Sequence, residues 1–192
     1  MCLFIKQFLS NPNSTGAIHP SSEQLADLIT ETAQLSNRST IVEIGSGTGV
    51  FTEKIYEKKN ESADFFAIEL NSYFVEQTKK RCPSVKVFEG SAKNINIYLK
   101  NRGYSRCDCI ISGLPWASFN DEIQDNILQN IYDSMVPGAI FLTFSYLQSL
   151  IMPSGRRFRK KLTDMFGSVQ KTKVVWNNFP PAFVYSVYKP VV

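Results

Sequence analysis

From Pro20 onward the chain switches repeatedly between two patterns. Short continuous apolar runs alternate with longer stretches whose apolar residues recur every three or four positions. The first pattern reads as buried strand and the second as amphipathic helix. "PSSEQLADLITETAQL" sets a serine cap ahead of Leu25, Leu28 and Ile29, which predicts a helix. "TIVEIG" is a β-branched run ended by Gly45, a first strand, and "GVFTEKIYEKK" is an amphipathic helix behind it. "DFFAIEL" predicts a second strand, and "NSYFVEQTKKR" a helix capped by Asn71. "SVKVFEG" gives a third strand, followed by a helix through "AKNINIYLKNR" closed by Gly103. "CDCIISGLPW" is a fourth strand that breaks into a Gly-Pro loop. "DEIQDNILQNIYDSM" then predicts a helix and "GAIFLTFSY" a fifth strand. Beyond a basic segment, "VQKTKVVWNNF" and "AFVYSVYK" read as two final strands.

Strands alternating with helices across short connections predict a parallel sheet covered on both faces. Right-handed crossovers make such a sheet doubly wound. The last two strands follow one another with no helix between them, so they should form an antiparallel hairpin at the sheet edge. The expected fold is α/β: a Rossmann-like, doubly wound, seven-stranded sheet, mostly parallel, with an antiparallel C-terminal hairpin. That domain is expected over residues 21–192. Residues 1–20 are expected to form a separate amphipathic segment, in which Leu3, Phe4, Phe8 and Leu9 can line one side of a short helix with Lys6 among its polar positions. A helix of that kind lies in a membrane interface or packs on the domain as a lid.

Composition narrows the class. The chain has 192 residues, of which 43% are hydrophobic and 20% charged, as in one globular domain with a substantial core. No apolar run is long enough to span a bilayer. The start, "MCLFIKQFL", reaches "SNPNS" without a small-residue cleavage site, so a signal peptide is not expected and the protein should be intracellular. Cys2, Cys82, Cys107 and Cys109 are scattered without a CxxC pair, and His19 is the single histidine. That argues against a zinc site and a disulfide framework, so no metal is expected. Net charge is +4, with positive runs at "KKR" (Lys79 to Arg81) and "RRFRKK" (Arg156 to Lys161). Either run suits a solvated face or an anionic partner.

The chemistry gathers at "VEIGSGTGVF". Gly45, Gly47 and Gly49 lie where the first strand meets its helix. In an open α/β sheet, ligands bind there, at the carboxyl ends of the strands. The spacing is GxGxG rather than the GxGxxG of a pyrophosphate loop, and Glu43 stands two residues before it. Glu43 would repel phosphates and suit a cation. Glu69, at the end of the second strand, can accept hydrogen bonds from both ribose hydroxyls. A ligand with a sulfonium, an ammonium and a ribose but no phosphate fits both carboxylates, and S-adenosylmethionine is one.

On these residues the sequence resembles the class I S-adenosylmethionine-dependent methyltransferases over nearly its whole length. The resemblance implies that Glu43, Gly45, Ser46, Gly47, Thr48 and Gly49 hold the methionine part. It places Glu69 and Leu70 at the ribose, and Ser91 and Ala92, after strand three, at the adenine, with Ser91 where the family often has aspartate. Ser112, at the end of strand four, joins the cofactor set.

The acceptor is addressed by "SGLPW", Ser112 to Trp116. Enzymes that methylate nucleic-acid amines often carry Asn or Asp before Pro-Pro or Leu-Pro here, and this chain has Ser112-Gly113. "SGLPW", "FSYLQSLIMPSG" and "NNFPPAFVY", with Asn178, Pro180, Pro181 and Ala182, resemble the small bacterial phospholipid N-methyltransferases, from about residue 3 to 190. These convert phosphatidylethanolamine to phosphatidylcholine. The resemblance implies an amine-bearing phospholipid as substrate, met at an anionic membrane surface on the cytoplasmic side, and it disfavours nucleic acid. Gly113, Leu114, Pro115, Trp116, Asn178 and Pro180 are the candidates for substrate contact. Arg156 or Arg157, taken to follow a Pro-Ser-Gly turn, is the candidate for the lipid phosphate. Tyr146, at the end of strand five, is the candidate catalytic residue that positions the amine. Trp116, Tyr146 and Phe179 can offer aromatic faces to a methylated cation, and each also fits an ordinary core position. Three alternatives remain: an N-methyltransferase for another amine such as an amino lipid or a natural product, an RNA adenine dimethyltransferase, and a non-catalytic S-adenosylmethionine-binding protein.

Overall fold

The computed structural model describes residues 21–191. The amphipathic segment expected over 1–20 lies outside the described residues, as does His19. Thirteen elements concern the site. They are α1 (Glu23–Ala33), β1 (Thr40–Ile44), α2 (Val50–Lys58), β2 (Asp64–Glu69), α3 (Ser72–Arg81), β3 (Lys86–Glu89) and α4 (Ile95–Asn101), then β4 (Cys107–Ser112), α5 (Asp121–Ser134), β5 (Met135–Tyr146), α6 (Pro153–Phe166), β6 (Gln170–Lys171) and β7 (Ala182–Tyr188).

The seven strands form one sheet in the order β3-β2-β1-β4-β5-β7-β6. β1 to β5 pair in parallel, and β7 runs antiparallel to both β5 and β6. The expected doubly wound sheet with its C-terminal antiparallel hairpin is present. Chain order reverses between β1 and β4, and that switch point is where an open α/β sheet forms its ligand crevice. The registers Ile44↔Ile68 and Ile44↔Ser112 bring the carboxyl ends of β1, β2 and β4 to one edge.

β1 is buried throughout, as a central parallel strand must be with helices on both faces. Alternate residues feed two cores. Ile41 and Ile111 face α1, α2 and α3 through Leu25, Ile29, Phe51, Ile55 and Val75. Val42, Ile44 and Ile110 face α4, α5 and α6 through Leu99, Leu128, Phe158 and Phe166. Cys107 and Cys109 sit in opposite cores because the β4–β5 register shifts between them. Both thiols are buried, and burial pushes Cys107 up to about 12.

Two expectations need correction. The basic segment is not a connector but part of α6, a 14-residue helix with Pro153 in its first turn, where the missing N–H has no partner to lose. Phe158, Leu162 and Phe166 supply its buried stripe, four residues apart, a period masked in the sequence by the density of Arg and Lys between them. The sixth strand is also much shorter than "VQKTKVVWNNF" suggests. Only Gln170 and Lys171 pair regularly with β7, and one isolated bridge follows at Val175↔Ala182. Both β6 residues are exposed, so little side-chain burial holds a longer strand there. Among the described residues no helix is long and apolar enough to cross a membrane.

Candidate active site

The glycine loop is built by contact with its neighbours. Gly45 N–H donates to Ile68 O at 2.8 Å, and Gly113 N–H to Ile44 O at 2.9 Å, so the ends of three strands are tied together. A Cβ on Gly113 would fall 2.2 Å from Gly45 O, and one on Gly45 would fall 2.7 Å from Leu114 Cδ2. These glycines let the loops after β1 and β4 touch. Gly47 differs. Its φ is +56°, and a Cβ there would meet nothing within 4 Å. Its backbone lies bare against open space, as a closely approaching ligand requires.

The loop is also held from α3, which sequence reading missed. Thr78 Oγ1 donates to Gly47 O at 2.9 Å and lies 3.0 Å from Ser46 Oγ. Thr78 has one hydroxyl proton, so Ser46 is the donor in that second bond. The available signal was a threonine beside Phe74 and Val75 on the buried face of an amphipathic helix. Thr78→Val keeps the shape and removes both bonds. At about 1 kcal/mol per bond, about 2 kcal/mol in all, cofactor affinity is expected to fall by up to roughly thirtyfold, measured by isothermal titration calorimetry.

Glu43 is fully buried beneath this loop. Thr52 Oγ1 donates to its Oε2 at 2.6 Å, while Oε1 has no hydrogen-bond partner. Burial pushes its pKa from 4.5 to about 8, against the opposing Thr52 bond and with a further push from the charge on Glu69. In the free protein the side chain therefore keeps its proton through neutral pH. The stability consequence follows in sign. Between about 4.5 and about 8 the unfolded chain loses this proton first, so stability falls as pH rises, and the loss levels off above about 8. Glu43→Gln removes that dependence. Relative to the variant, the wild type is expected to lose a few kcal/mol between about pH 5 and about pH 8.5, read from urea melts across that range.

Glu69 ends β2 with only 6% of its surface exposed. Its Oε2 accepts from Gly47 N–H and its Oε1 from Asn71 N–H, each at 2.9 Å. Burial raises its pKa, and the backbone bonds from Asn71, Gly47 and Leu70 oppose the rise. Beside it, Gly90 N–H donates to Glu69 O, which sets Ser91 and Ala92 next to β2. Ser91 Oγ accepts from Lys93 N–H as the cap of a short 3-10 turn. Leu70 is half exposed on the same edge. Glu69, Leu70, Ser91, Ala92 and the bare face of Gly47 thus gather at the carboxyl edge of the sheet. Thr48 O is bonded by Arg81, and Gly49 caps α2 in a left-handed conformation.

Other expected contacts turn inward. Ser112 is fully buried, and its Oγ accepts from Leu114 N–H at 3.2 Å and Trp116 Nε1–H at 3.0 Å. It braces the loop rather than presenting a hydroxyl to the crevice. Trp116 is 3% exposed, with Phe158 stacked on its ring at 4.7 Å, so that aromatic face is occupied and is not offered to a cation. Asn178, also expected at the substrate, is buried. Its Oδ1 accepts from Ser22 N–H and its Nδ2 donates to Pro180 O, linking the start of α1 to the loop before β7. Gly113 is committed to loop packing, and Leu114, Pro115 and Pro180 remain half-buried at the edge.

The two arginines separate. Arg157 pairs with Asp121 at 3.3 Å, while Arg156 donates from Nε to Leu150 O next to the end of β5. Lys161 pairs with Asp121 and Asp125, and Lys160 with Asp164, so acids of α5 and α6 offset much of the basic run. Tyr146, the last residue of β5, is half-buried edge-on against Phe144 at 5.4 Å, and burial raises its phenol pKa. Among the described residues, no group of three or more His, Cys, Asp or Glu is placed to hold a metal ion.

Sheet order, the glycine loop and the acidic end of β2 together define a class. The chain belongs to the methyltransferase domain family, whose sequence pattern matches residues 41–138. It is an S-adenosylmethionine-dependent methyltransferase of class I. It is 25% identical over 186 residues to the ornithine lipid N-methyltransferase of Singulisphaera acidiphila, a match covering 95% of this chain and 93% of that protein. It is 26% identical over 140 residues to a probable ribosomal RNA small subunit methyltransferase A of Methanosarcina acetivorans, a match covering 71% of this chain and 47% of that one. Among solved structures, the fold is shared with an O-methyltransferase from Bacillus cereus in complex with SAH (TM-score 0.72, 15% identity, 97% of this chain and 89% of that one). It is shared too with the O-methyltransferase TomG from Streptomyces achromogenes in complex with SAM (TM-score 0.71, 17% identity, 95% of this chain and 86% of that one).

The crevice fits such a cofactor. Gly47 leaves room for close approach, Glu69 presents a carboxylate beside that room, and Glu43 carries an unbonded buried oxygen below it.

Proposed function

We propose that the protein methylates the amine of a membrane lipid, an amine-bearing phospholipid such as phosphatidylethanolamine or another amino lipid. The observation that carries this reading is the likeness to a lipid N-methyltransferase along almost the full length of both chains. When bound, S-adenosylmethionine supplies an electrophilic methyl group. Glu69 would accept hydrogen bonds from its ribose hydroxyls, since a carboxylate has acceptor sites left beyond those bonded to Gly47 and Asn71. Gly45 to Gly49 would carry the methionine part, and Leu70, Ser91 and Ala92 would flank the adenine. The domain would span 21–192, with residues 1–20 as its membrane-facing segment.

The acceptor amine must be neutral to attack, so its ammonium first gives a proton to water. Tyr146, whose phenol burial keeps protonated, can accept a hydrogen bond from the remaining N–H and aim the nitrogen lone pair. Most of the rate then comes from orientation. Arg156, free of an ion pair among the described residues, suits the lipid's anionic group better than Arg157. Tyr146→Phe is expected to keep the fold and cofactor affinity and to lower kcat by roughly 10- to 100-fold, in a steady-state assay at saturating cofactor.

Transfer of labelled methyl from S-adenosylmethionine tests the reading, with phosphatidylethanolamine vesicles, ornithine lipid vesicles and total RNA as separate acceptors. Label in either lipid supports it and identifies the head group. Label in RNA alone overturns it in favour of a second reading, which rests on the partial likeness to the ribosomal RNA enzyme. No label in any acceptor, with the cofactor bound, points to another amine or to a binding protein.

A further inference from the structure

The carboxyl edge carries apolar side chains that the fold leaves in water. Ile151 is 74% exposed and Met152 41% exposed, in the turn between β5 and α6, and Trp176 is 70% exposed in the loop before β7. Large apolar residues such as Tyr56, Ile97 and Tyr188 are exposed elsewhere too, but Ile151, Met152 and Trp176 lie in two loops at one edge, and such a grouping marks a surface that something covers. The two loops are fastened to each other at the end of β5. Tyr146 pairs with Ala182, Leu147 N–H donates to Pro181 O at 2.8 Å, and Val175 N–H donates to Ala182 O at 2.7 Å. The exposed residues therefore flank Tyr146 on both sides of the sheet.

Charge identifies the partner. Arg156 and Arg159, in the first half of α6, form no ion pair among the described residues, whereas Arg157, Lys160 and Lys161 are paired with Asp121, Asp125 and Asp164. On α1, Asp27 and Glu31 share one cation, Lys58, at 2.7 and 3.8 Å. The charge left over beside Ile151 and Met152, along the first half of α6, is positive. Ser22, the cap of α1, also joins this edge, since its N–H is bonded to Asn178 in the Trp176 loop.

We propose that this edge is the docking face for an anionic lipid bilayer. Ile151, Met152 and Trp176 enter the head-group layer, while Arg156 and Arg159 meet lipid phosphates. The inference rests on the lipid reading above and deepens it, because an amine held at the bilayer surface then reaches Tyr146 without leaving the membrane.

The two tryptophans make the test direct, since Trp116 is 3% exposed and Trp176 70%. The probe is a vesicle of equal parts phosphatidylglycerol and phosphatidylethanolamine carrying a nitroxide near the head group. Binding is expected to quench and blue-shift the Trp176 emission, and Trp176→Phe is expected to abolish that response with an unchanged circular dichroism spectrum. Ile151→Asp with Met152→Asp is expected to weaken partitioning by about tenfold or more, with cofactor affinity unaltered. Wild-type partitioning without Trp176 quenching, or a double variant that partitions like the wild type, overturns the docking face. So does a lipid-independent, concentration-dependent change in Trp176 emission, which would mean a second copy covers the patch. Quenching without methyl transfer to any lipid amine keeps the docking face and removes the lipid acceptor. Transfer without quenching does the reverse.

Discussion

Glu69→Ala is expected to raise the dissociation constant for S-adenosylmethionine by about a hundredfold or more. The carboxylate stands at the end of β2 with both oxygens aimed along the crevice by the N–H groups of Gly47 and Asn71. A ribose adds two hydroxyl donors. Hydrogen bonds to a charged acceptor are worth about 1.5–3 kcal/mol each, so losing two removes at least 3 kcal/mol of binding, about two powers of ten. Folding should change less, because the Gly47 and Asn71 N–H groups lose their acceptor while the cost of burying the charged side chain is relieved, and the two effects oppose each other. Calorimetric titration of cofactor beside a thermal melt separates the two. A large loss of affinity with a small shift in Tm is expected. A collapsed Tm with normal affinity in the surviving folded fraction would instead make Glu69 a structural residue.

The second large effect is Gly113→Ala, and it is expected to strike the fold. Its new methyl would sit 2.2 Å from Gly45 O, a backbone atom held by the bond between Gly45 N–H and Ile68 O. Neither partner can swing away as a flexible side chain would, so the loops after β1 and β4 must separate. Overpacking of this kind costs about 1–3 kcal/mol and sometimes more, which for a domain of this size lowers Tm by roughly 2–12 °C. Gly47→Ala is the informative counterpart. Its methyl would meet nothing within 4 Å, so the folding cost is mainly that of a left-handed alanine, about 1–2 kcal/mol. The same methyl would occupy the space through which the cofactor approaches. Gly113→Ala should therefore lose stability and binding together, and Gly47→Ala chiefly binding.

How far the sequence carried the fold depended on how local each signal was. β1, β2 and β4 announce themselves as continuous apolar runs that end in glycine or a short polar turn, and the order of elements then dictates the winding. α6 was hidden because Arg and Lys fill the positions between Phe158, Leu162 and Phe166, and the proline that starts it reads equally well as part of a turn. β6 was overread because alternating threonine and valine match a strand wherever they occur, while an edge needs partners that local sequence does not show. At the site, the glycine loop, Glu43 and Glu69 were legible because their spacing is tied to one strand–turn–helix unit. Thr52 and Thr78 were not, because their roles exist only once α2 and α3 lie against the loop. Ser112, Trp116 and Asn178 show the limit from the other side. Their segments do line the carboxyl edge, but the sequence does not say which way a side chain turns, and Phe158 and the backbone of Ser22 claim two of them.

The acceptor proposed for the methyl group is a lipid amine. The most direct measurement is mass spectrometry of a total membrane lipid extract, presented as vesicles and incubated with the protein and deuteromethyl S-adenosylmethionine, with RNA in the same tube and Glu69→Ala as the blank. The isotopic methyl is expected on an amine-bearing lipid head group, and is expected to be absent with Glu69→Ala. Isotope found only in RNA, with every lipid unlabelled, would contradict a lipid acceptor.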